Sequence, residues 1–131
     1  MSQENVALIR DWFEGQQDPE QFFGLLDPCI VFINYASAPE PGPFVGHDGV
    51  RAWVRNFRSG LGDFRIDATE IIDAGGDQVV VDQLVVGTGI SSGVPFERRF
   101  SSLFTLANGK IVRVQGFETH AEALEAAGLS K

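Results

Sequence analysis

Apolar residues recur every three or four positions in the first part of the chain, which is the period of an α-helix. The first such stretch covers residues 4–14 and predicts a helix with one broad apolar face. A second, short helix is predicted to begin at Asp18, because aspartate suits the capping position and Pro19 suits the first helical position. Both helices therefore need an apolar surface to cover.

The most regular helical pattern follows a proline-rich segment. Residues 35–46 contain three of the six prolines and predict an irregular loop, long enough for the rim of a functional site. Beyond this loop the apolar residues fall at positions i, i+3, i+4 and i+7, and Gly60 marks the end of the pattern. These residues are Val50, Trp53, Val54 and Phe57. The pattern predicts a third, amphipathic helix.

The rest of the chain is rich in the branched and aromatic residues that are typical of β-strands. Residues 29–34 predict a first, largely buried strand. Four more strands, separated by glycine-rich turns, are predicted at residues 64–73, 79–88, 95–106 and 110–118. Thr119 and Glu122 have the spacing of a capping box and predict a closing helix.

This order of elements predicts one α+β domain over residues 1–131, with helices on one face of a curved antiparallel sheet. The strand at 79–88 is apolar on both alternating faces, whereas an antiparallel strand with one face in water normally alternates. One face can meet the helices, and a second subunit is the simplest cover for the other. We therefore expect a homodimer formed through the outer face of the sheet.

Composition excludes several classes of protein. The chain has 131 residues, 44% of them hydrophobic, which suits a single core. A formal net charge of −8 argues against nucleic acid as a partner. The apolar runs are too short to span a membrane, and residues 1–10 lack the pattern of a signal peptide. With one cysteine, Cys29, and two histidines, the sequence predicts neither a disulfide nor a metal site. We also expect no cofactor and a cytoplasmic location.

Three segments carry a resemblance to a known family: VGHDGVRAWVRNF, GGDQVVVDQLVVGTG and NGKIVRVQGFETHAEALEAAGL. They resemble the SnoaL-like family of the nuclear-transport-factor-like, or ketosteroid-isomerase-like, superfamily. The resemblance implies a conical half-barrel, in which a curved antiparallel sheet and helices packed on its concave face enclose a pocket, and it implies a dimer. The superfamily includes ketosteroid isomerases, polyketide cyclases, epoxide hydrolases and proteins without catalytic activity, so fold alone does not fix the reaction.

The known catalytic sets of this superfamily are missing from the chain. The Asp-Arg-Asp set of the limonene epoxide hydrolases falls on Val85, Gln83 and Gly116. The ketosteroid isomerases use one aspartate as a base and a second, protonated aspartate as a hydrogen-bond donor. Here the base position falls near Asn34 and the position of the second aspartate near Ser101. The resemblance therefore implies that both of these residue sets are missing here.

Other candidate catalytic residues cluster at the predicted mouth of the pocket. Glu118 is the carboxylate nearest to the acid or base position of the SnoaL-like cyclases, and strand alternation places Arg98 beside it. This pair can supply an ionised base, or it can be a rim salt bridge without chemistry. Asn34 and Tyr35 can donate to a ligand carbonyl, or they can serve only the loop.

The pocket itself is expected to be apolar with a few polar groups. Its predicted lining is Trp12, Phe32, Trp53, Phe57, Gln83, Phe100, Val114, Gly116 and His120. The aromatic members suit an ordinary core equally well. His120 beside Glu118 suggests a dyad at the mouth. The G-x-S-x-G pattern at residues 89–93 lies between two strands, where a nucleophile elbow does not form.

Two functions remain open from the sequence. The first is a cofactor-independent isomerase, cyclase or hydrolase that uses Glu118 in acid–base chemistry on a small apolar substrate. The second is a dimeric protein that binds such a molecule without catalysis, which the missing catalytic sets favour. In both, the expected partner is a small apolar molecule.

Overall fold

The computed structural model describes residues 2–15, 18–36, 38, 41–89 and 92–129, and the side chains of Ser2 and of residues 57–63 lie outside the described part. The helices within these residues are α1 (Ser2–Glu14), α2 (Pro19–Gly24), α3 (Gly46–Gly60) and α4 (His120–Ala126). The strands are β1 (Leu26–Ile33), β2 (Phe44–Val45), β3 (Leu61–Gly75), β4 (Gln78–Gly89), β5 (Pro95–Ala107) and β6 (Lys110–Phe117).

The strands form one curved, unclosed sheet in the order β2-β1-β6-β5-β4-β3. The last four strands along the chain are joined as antiparallel hairpins, as the turn residues predict. At the β5–β6 turn Asn108 and Gly109 both have positive φ, at 54° and 76°, a conformation that asparagine and glycine tolerate. The hairpin register therefore follows directly from the local sequence.

The concave face of the sheet carries the main core. Helix α1 presents Ile9, Trp12 and Phe13 to this face, and all three side chains are buried. They pack with Val79 and Phe104 of the sheet, while Leu26, Ile30, Val50, Val81, Leu106, Ile111 and Val114 complete the buried cluster. The first three helices thus lie on the side that the apolar stripes require.

The convex face carries a second, smaller cluster beneath α4. Ala123 of α4 packs with Val80 of β4 and Leu103 of β5, and Val80 and Ala123 are fully buried. This helix explains why β4 is apolar on both faces at its first half. Farther along the same face, Leu84 and Val86 are half-buried.

The predicted α+β fold class is confirmed, and the structure adds three details. Strand β1 runs parallel to β6, because a long connection through α3 separates β1 from the hairpin strands. Helix α4 packs on the convex face instead of the concave one. The predicted loop at 35–46 contains the short strand β2, which pairs with β1.

No helix among the described residues has both the length and the apolar character needed to cross a membrane.

Candidate functional site

A cavity of about 60 Å³ lies between the concave face of the sheet and the helices. Its walls are mostly aromatic and aliphatic side chains contributed by helices and by all the longer strands. The lining residues are Trp12, Phe13, Phe22, Phe32, Ile33, Asn34, Trp53, Ile66, Gln83, Phe100, Ser102, Phe104, Val114 and Gly116. An apolar cavity with a few polar groups is the usual form of a small-molecule site.

Two aromatic pairs line the cavity, and three of their four rings come from helices. The rings of Trp12 and Phe22 stack at a centroid distance of 4.8 Å, and those of Phe32 and Trp53 lie 4.6 Å apart. The indole N–H of Trp12 donates to the backbone oxygen of Phe22 at 2.8 Å. Because this hydrogen bond satisfies the polar end of the indole, the Trp12 ring presents an apolar surface to the cavity.

The polar groups of the cavity lie on the sheet side. Gln83 and Ser102 are only 6% and 3% exposed, and the Gln83 side-chain amide donates to the Ser102 hydroxyl oxygen at 2.7 Å. Pairing is required because a buried amide without a partner is costly. Among the described residues, these two side chains make no other hydrogen bond. The Gln83 side-chain carbonyl can therefore accept a hydrogen bond from a ligand, and the Ser102 hydroxyl can donate one.

Tyr35 and Arg98 lie beside the cavity, next to the lining residues Asn34 and Phe100. The Arg98 guanidinium carbon is 4.5 Å from the centroid of the Tyr35 ring, and the Phe100 ring is 5.8 Å from the same ring. The Asn34 side-chain oxygen accepts from the Tyr35 backbone N–H at 3.1 Å. A cation–π contact and a ring contact therefore fix the phenol at the edge of the cavity.

Gly116 allows the chain to pass close to the sheet at this edge. A Cβ atom on Gly116 would be 3.0 Å from the Tyr35 backbone nitrogen and 3.4 Å from the Asn34 carbonyl carbon. A side chain at this position of β6 would therefore push the Asn34–Tyr35 segment outwards. The absent side chain also leaves space in the cavity wall.

Most of the predicted lining residues do face the cavity: Trp12, Phe32, Trp53, Gln83, Phe100, Val114 and Gly116, together with Asn34. The side chain of Phe57 lies outside the described residues. Glu118 is exposed just beyond β6, and its backbone N–H donates to the Glu122 carboxylate at 3.2 Å. Catalytic roles for Glu118, Arg98, Tyr35 and Asn34 stay predictions.

His120 is placed differently from its prediction. The imidazole lies on the convex face, where its Nδ1 is 2.7 Å from the Asp82 carboxylate, because α4 packs on that side of the sheet. Asp82 also accepts from the Ser101 hydroxyl at 2.5 Å. Its described side-chain partners are thus Ser101 and His120.

Six lining residues were not predicted from the sequence: Phe13, Phe22, Ile33, Ile66, Ser102 and Phe104. Strand alternation could have identified Ser102 and Phe104, since both lie on the same face of β5 as the predicted Phe100. Ile66 lies opposite Val85 on the edge pair of strands, and only the curvature of the sheet brings it to the cavity.

The polar groups in the cavity lining can form hydrogen bonds but carry no charge. Among the described lining residues none carries an ionisable carboxyl, imidazole, amine or guanidinium group. The amides of Asn34 and Gln83 and the hydroxyl of Ser102 can orient a carbonyl or a hydroxyl group. A proton donor or acceptor would have to act from the edge, where Tyr35 and Arg98 lie.

Comparison with known proteins supports the family and the fold. The SnoaL-like domain family matches residues 9–114. An NTF2-like protein of unknown function from Burkholderia pseudomallei K96243 aligns with a TM-score of 0.78 at 21% identity, over 93% of this chain and 95% of that one. TerC, co-crystallized with polyporic acid, aligns with a TM-score of 0.77 at 22% identity, over 95% and 98%.

A third solved structure, a proposed SnoaL-like polyketide cyclase from Jannaschia sp. CCS1, aligns with a TM-score of 0.76 at 20% identity, over 99% of this chain and 94% of that one. At these identities the likeness shows the fold alone. No curated protein matches the chain in sequence.

Replacing Gly116 with alanine tests the close passage at the cavity edge. We expect Gly116→Ala to lower the free energy of unfolding by about 1–3 kcal/mol, because the new Cβ would press on the Tyr35 backbone. Gly24→Ala is the matched control: its Cβ would have no atom within 4 Å and Gly24 lies in α2, so the change should be neutral or stabilising by up to about 1 kcal/mol. Urea denaturation measures both, and equal effects would contradict the contact.

Proposed function

The chain belongs to the SnoaL-like family, and we propose that it binds a small, largely apolar molecule in the cavity on the concave face. The observation that carries this proposal is the combination of aromatic walls with one buried amide–hydroxyl pair, Gln83 and Ser102. Such a site selects a molecule by its shape and by one polar group. We infer that this group is a carbonyl or hydroxyl oxygen.

The aromatic walls favour a flat ligand. Trp12 and Phe22 have nearly parallel rings, with an interplanar angle of 23°, and Phe32 and Trp53 are tilted by 36°. A planar ring can stack on such surfaces and exclude water from them. TerC, a protein with a similar fold, was co-crystallized with polyporic acid, which makes that compound a suitable larger probe.

The polar pair gives the ligand an orientation. The Ser102 hydroxyl can donate to a carbonyl oxygen while it still accepts from Gln83. A ligand hydroxyl can instead donate to the Gln83 carbonyl. Because both side chains are buried, water competes little for these bonds.

The size of the cavity bears on how the ligand enters. Its volume of about 60 Å³ is smaller than the roughly 150 Å³ of an engineered cavity that binds benzene. A ring-sized ligand therefore needs rearrangement of lining side chains. Phe22, Phe32 and Trp53 are only partly buried, so they can rotate at lower cost than Phe104, which is 1% exposed.

Binding of a matched pair of small probes tests this function. Acetophenone and α-methylstyrene have nearly the same shape, but only acetophenone has a carbonyl oxygen. We expect the double variant Gln83→Leu/Ser102→Ala to bind acetophenone about fivefold more weakly, the value of one hydrogen bond, and to keep its affinity for α-methylstyrene. Ligand-observed NMR titration with tryptophan fluorescence measures both affinities, and polyporic acid extends the series.

Ser101→Ala is the control for this experiment, because Ser101 is the next residue on β5 and bonds to Asp82 on the opposite face. It should leave both affinities unchanged. The proposal fails if neither probe binds the wild-type protein, or if Ser101→Ala weakens acetophenone binding as much as the double variant.

A second candidate function is acid–base catalysis at the edge of the same cavity, in an isomerase, cyclase or hydrolase reaction. The arrangement that favours it is the phenol of Tyr35, held between Arg98 and Phe100 beside the lining residue Asn34. Glu118 follows the lining residue Gly116 by two positions and would act as the base. Asn34, Tyr35 and Arg98 would orient a substrate carbonyl.

Exchange of carbon-bound protons tests this catalytic function. In D₂O, a base beside a bound ketone should accelerate deuterium uptake into the methyl group of acetophenone, which NMR follows. We expect Glu118→Gln to reduce the protein-dependent rate by about 10²-fold or more and to leave affinity unchanged. Glu125→Gln on α4, an exposed carboxylate, should keep the full rate. Uptake at the buffer rate with wild-type protein would refute catalysis of this kind.

We also propose that the chain forms a homodimer through the convex face. Beyond the area covered by α4, Leu84 and Val86 of β4 present apolar side chains that are only half-buried. A second copy of the same surface is a cover of matching chemistry.

Sedimentation velocity tests the dimer. Leu84→Arg should convert it to a monomer, because the substitution places a charge in the proposed interface. Glu14→Arg, an exposed change on α1, should leave the dimer intact. A wild-type protein that sediments as a monomer at all concentrations would rule the interface out.

A further inference from the structure

Three side chains of metal-binding type meet on the convex face, away from the cavity. They are Glu70 of β3, Asp82 of β4 and His120 of α4, and one ligand atom of each lies within 4.8 Å of the others. We propose that this cluster, the convex carboxylate–histidine cluster, binds a divalent transition-metal ion such as Zn²⁺. The proposal is independent of any function of the cavity.

The fold places the two carboxylates on the same face by means of a β-bulge. Glu70 is the register partner of Asp82, and the register shifts between Ala68 and Glu70. Ala68 and Ile71 both pack on the concave core, so two residues lie between them where an even pleat would have one or three. The hydroxyl of Thr69 donates to the Asp82 backbone oxygen at 3.1 Å and fixes the bulge.

Asp82 and His120 are already oriented towards each other. The His120 Nδ1 lies 2.7 Å from Asp82 Oδ1, and that oxygen also accepts from the buried Ser101 hydroxyl. His120 is the first residue of α4, whose start is fixed by the capping box of Thr119 and Glu122. Hydrogen bonds that hold a ligating carboxylate in place are a common feature of metal sites.

Side-chain movements of up to about 1.5 Å separate this geometry from metal coordination, since the three ligand atoms already lie within 4.8 Å of one another. Two ligand atoms of tetrahedral Zn²⁺ lie about 3.3 Å apart when the bonds are about 2.0–2.1 Å long. The Nδ1–Oδ1 distance would therefore open by about 0.6 Å from its 2.7 Å. The side chain of His120 is 43% exposed, so it has room for this shift.

The two carboxylates of the cluster carry negative charges that a bound cation would neutralise. Glu70 and Asp82 face each other across neighbouring strands, where like charges destabilise the pairing. Among the described side chains neither carboxylate has an ion pair with lysine or arginine. A protonated His120 would supply one positive charge, and a divalent ion bound to the neutral imidazole would supply two.

The donor set points to a transition metal. Zn²⁺ accepts one imidazole nitrogen and two carboxylate oxygens, and solvent can supply the fourth ligand, since Glu70 and His120 are exposed. Mg²⁺ and Ca²⁺ prefer sites made only of oxygen. Bound metal would join α4 to β3 and β4, so it should stabilise a helix of only seven residues.

Isothermal titration calorimetry with Zn²⁺ tests the site. We expect one ion per chain, and at least about tenfold weaker binding in Glu70→Gln, Asp82→Asn and His120→Gln. Ser101→Ala should weaken binding by about tenfold, through the loss of its bond to Asp82. Mg²⁺ and Ca²⁺ should give no saturable heat at the same concentrations.

Two controls separate this site from other zinc ligands. Glu125→Gln removes an exposed carboxylate of α4 outside the cluster and should not change the affinity. Cys29→Ser removes the exposed thiol, the strongest competing ligand, and should also leave binding intact. Loss of binding in Cys29→Ser, with binding retained in Glu70→Gln, would overturn the proposal.

Amide hydrogen exchange tests the same site independently of the calorimetric signal. Zn²⁺ should slow amide exchange in α4 of the wild-type protein and should have no effect on α4 in Glu70→Gln. Glu70 is an exposed residue, so this variant keeps the test decisive even if His120→Gln unfolds. Equal Zn²⁺ protection in wild type and Glu70→Gln, or no saturable binding to wild type, would contradict the site.

Discussion

The register between β4 and β5 decides what each face of the sheet presents. Gln83 lies opposite Phe100, and Asp82 lies opposite Ser101, so neighbouring residues send an amide to the cavity and a carboxylate to the convex face. A slip of one residue would turn Asp82 into the apolar interior and Gln83 out of it. Because an ionised carboxylate is costly to bury without a partner, the apolar interior itself holds the register.

Both faces of β4 must pack against other elements, because both carry apolar side chains. Val79, Val80 and Val81 are consecutive and fully buried, which is stable only if each face of the strand meets another layer. Helix α1 covers one face, and α4 covers the other. The two layers also separate the chemistry, since the described cavity lining is neutral whereas the convex face holds Asp82 and its ionisable neighbours.

Membership of the SnoaL-like family fixes this scaffold but leaves the reaction open. The described lining of the cavity carries no charged side chain, and Gln83 and Gly116 are among the residues that form it. A neutral hydrogen-bonding interior is suited to orienting a ligand. Proton transfer needs the groups at the edge, where Gly116 lets the Asn34–Tyr35 segment approach the sheet.

The sequence alone determined the helices, the hairpins and the parity of the strand residues that face the cavity, among them Phe32, Gln83, Phe100 and Val114. These features depend on local periodicity and turn chemistry, which neighbouring residues specify. Only the tertiary structure decided that β1 runs parallel to β6, that α4 docks on the convex face and that a bulge turns Glu70 towards Asp82. Each of these depends on contacts between segments far apart in the chain, so His120 could not be assigned to a face from its neighbours alone.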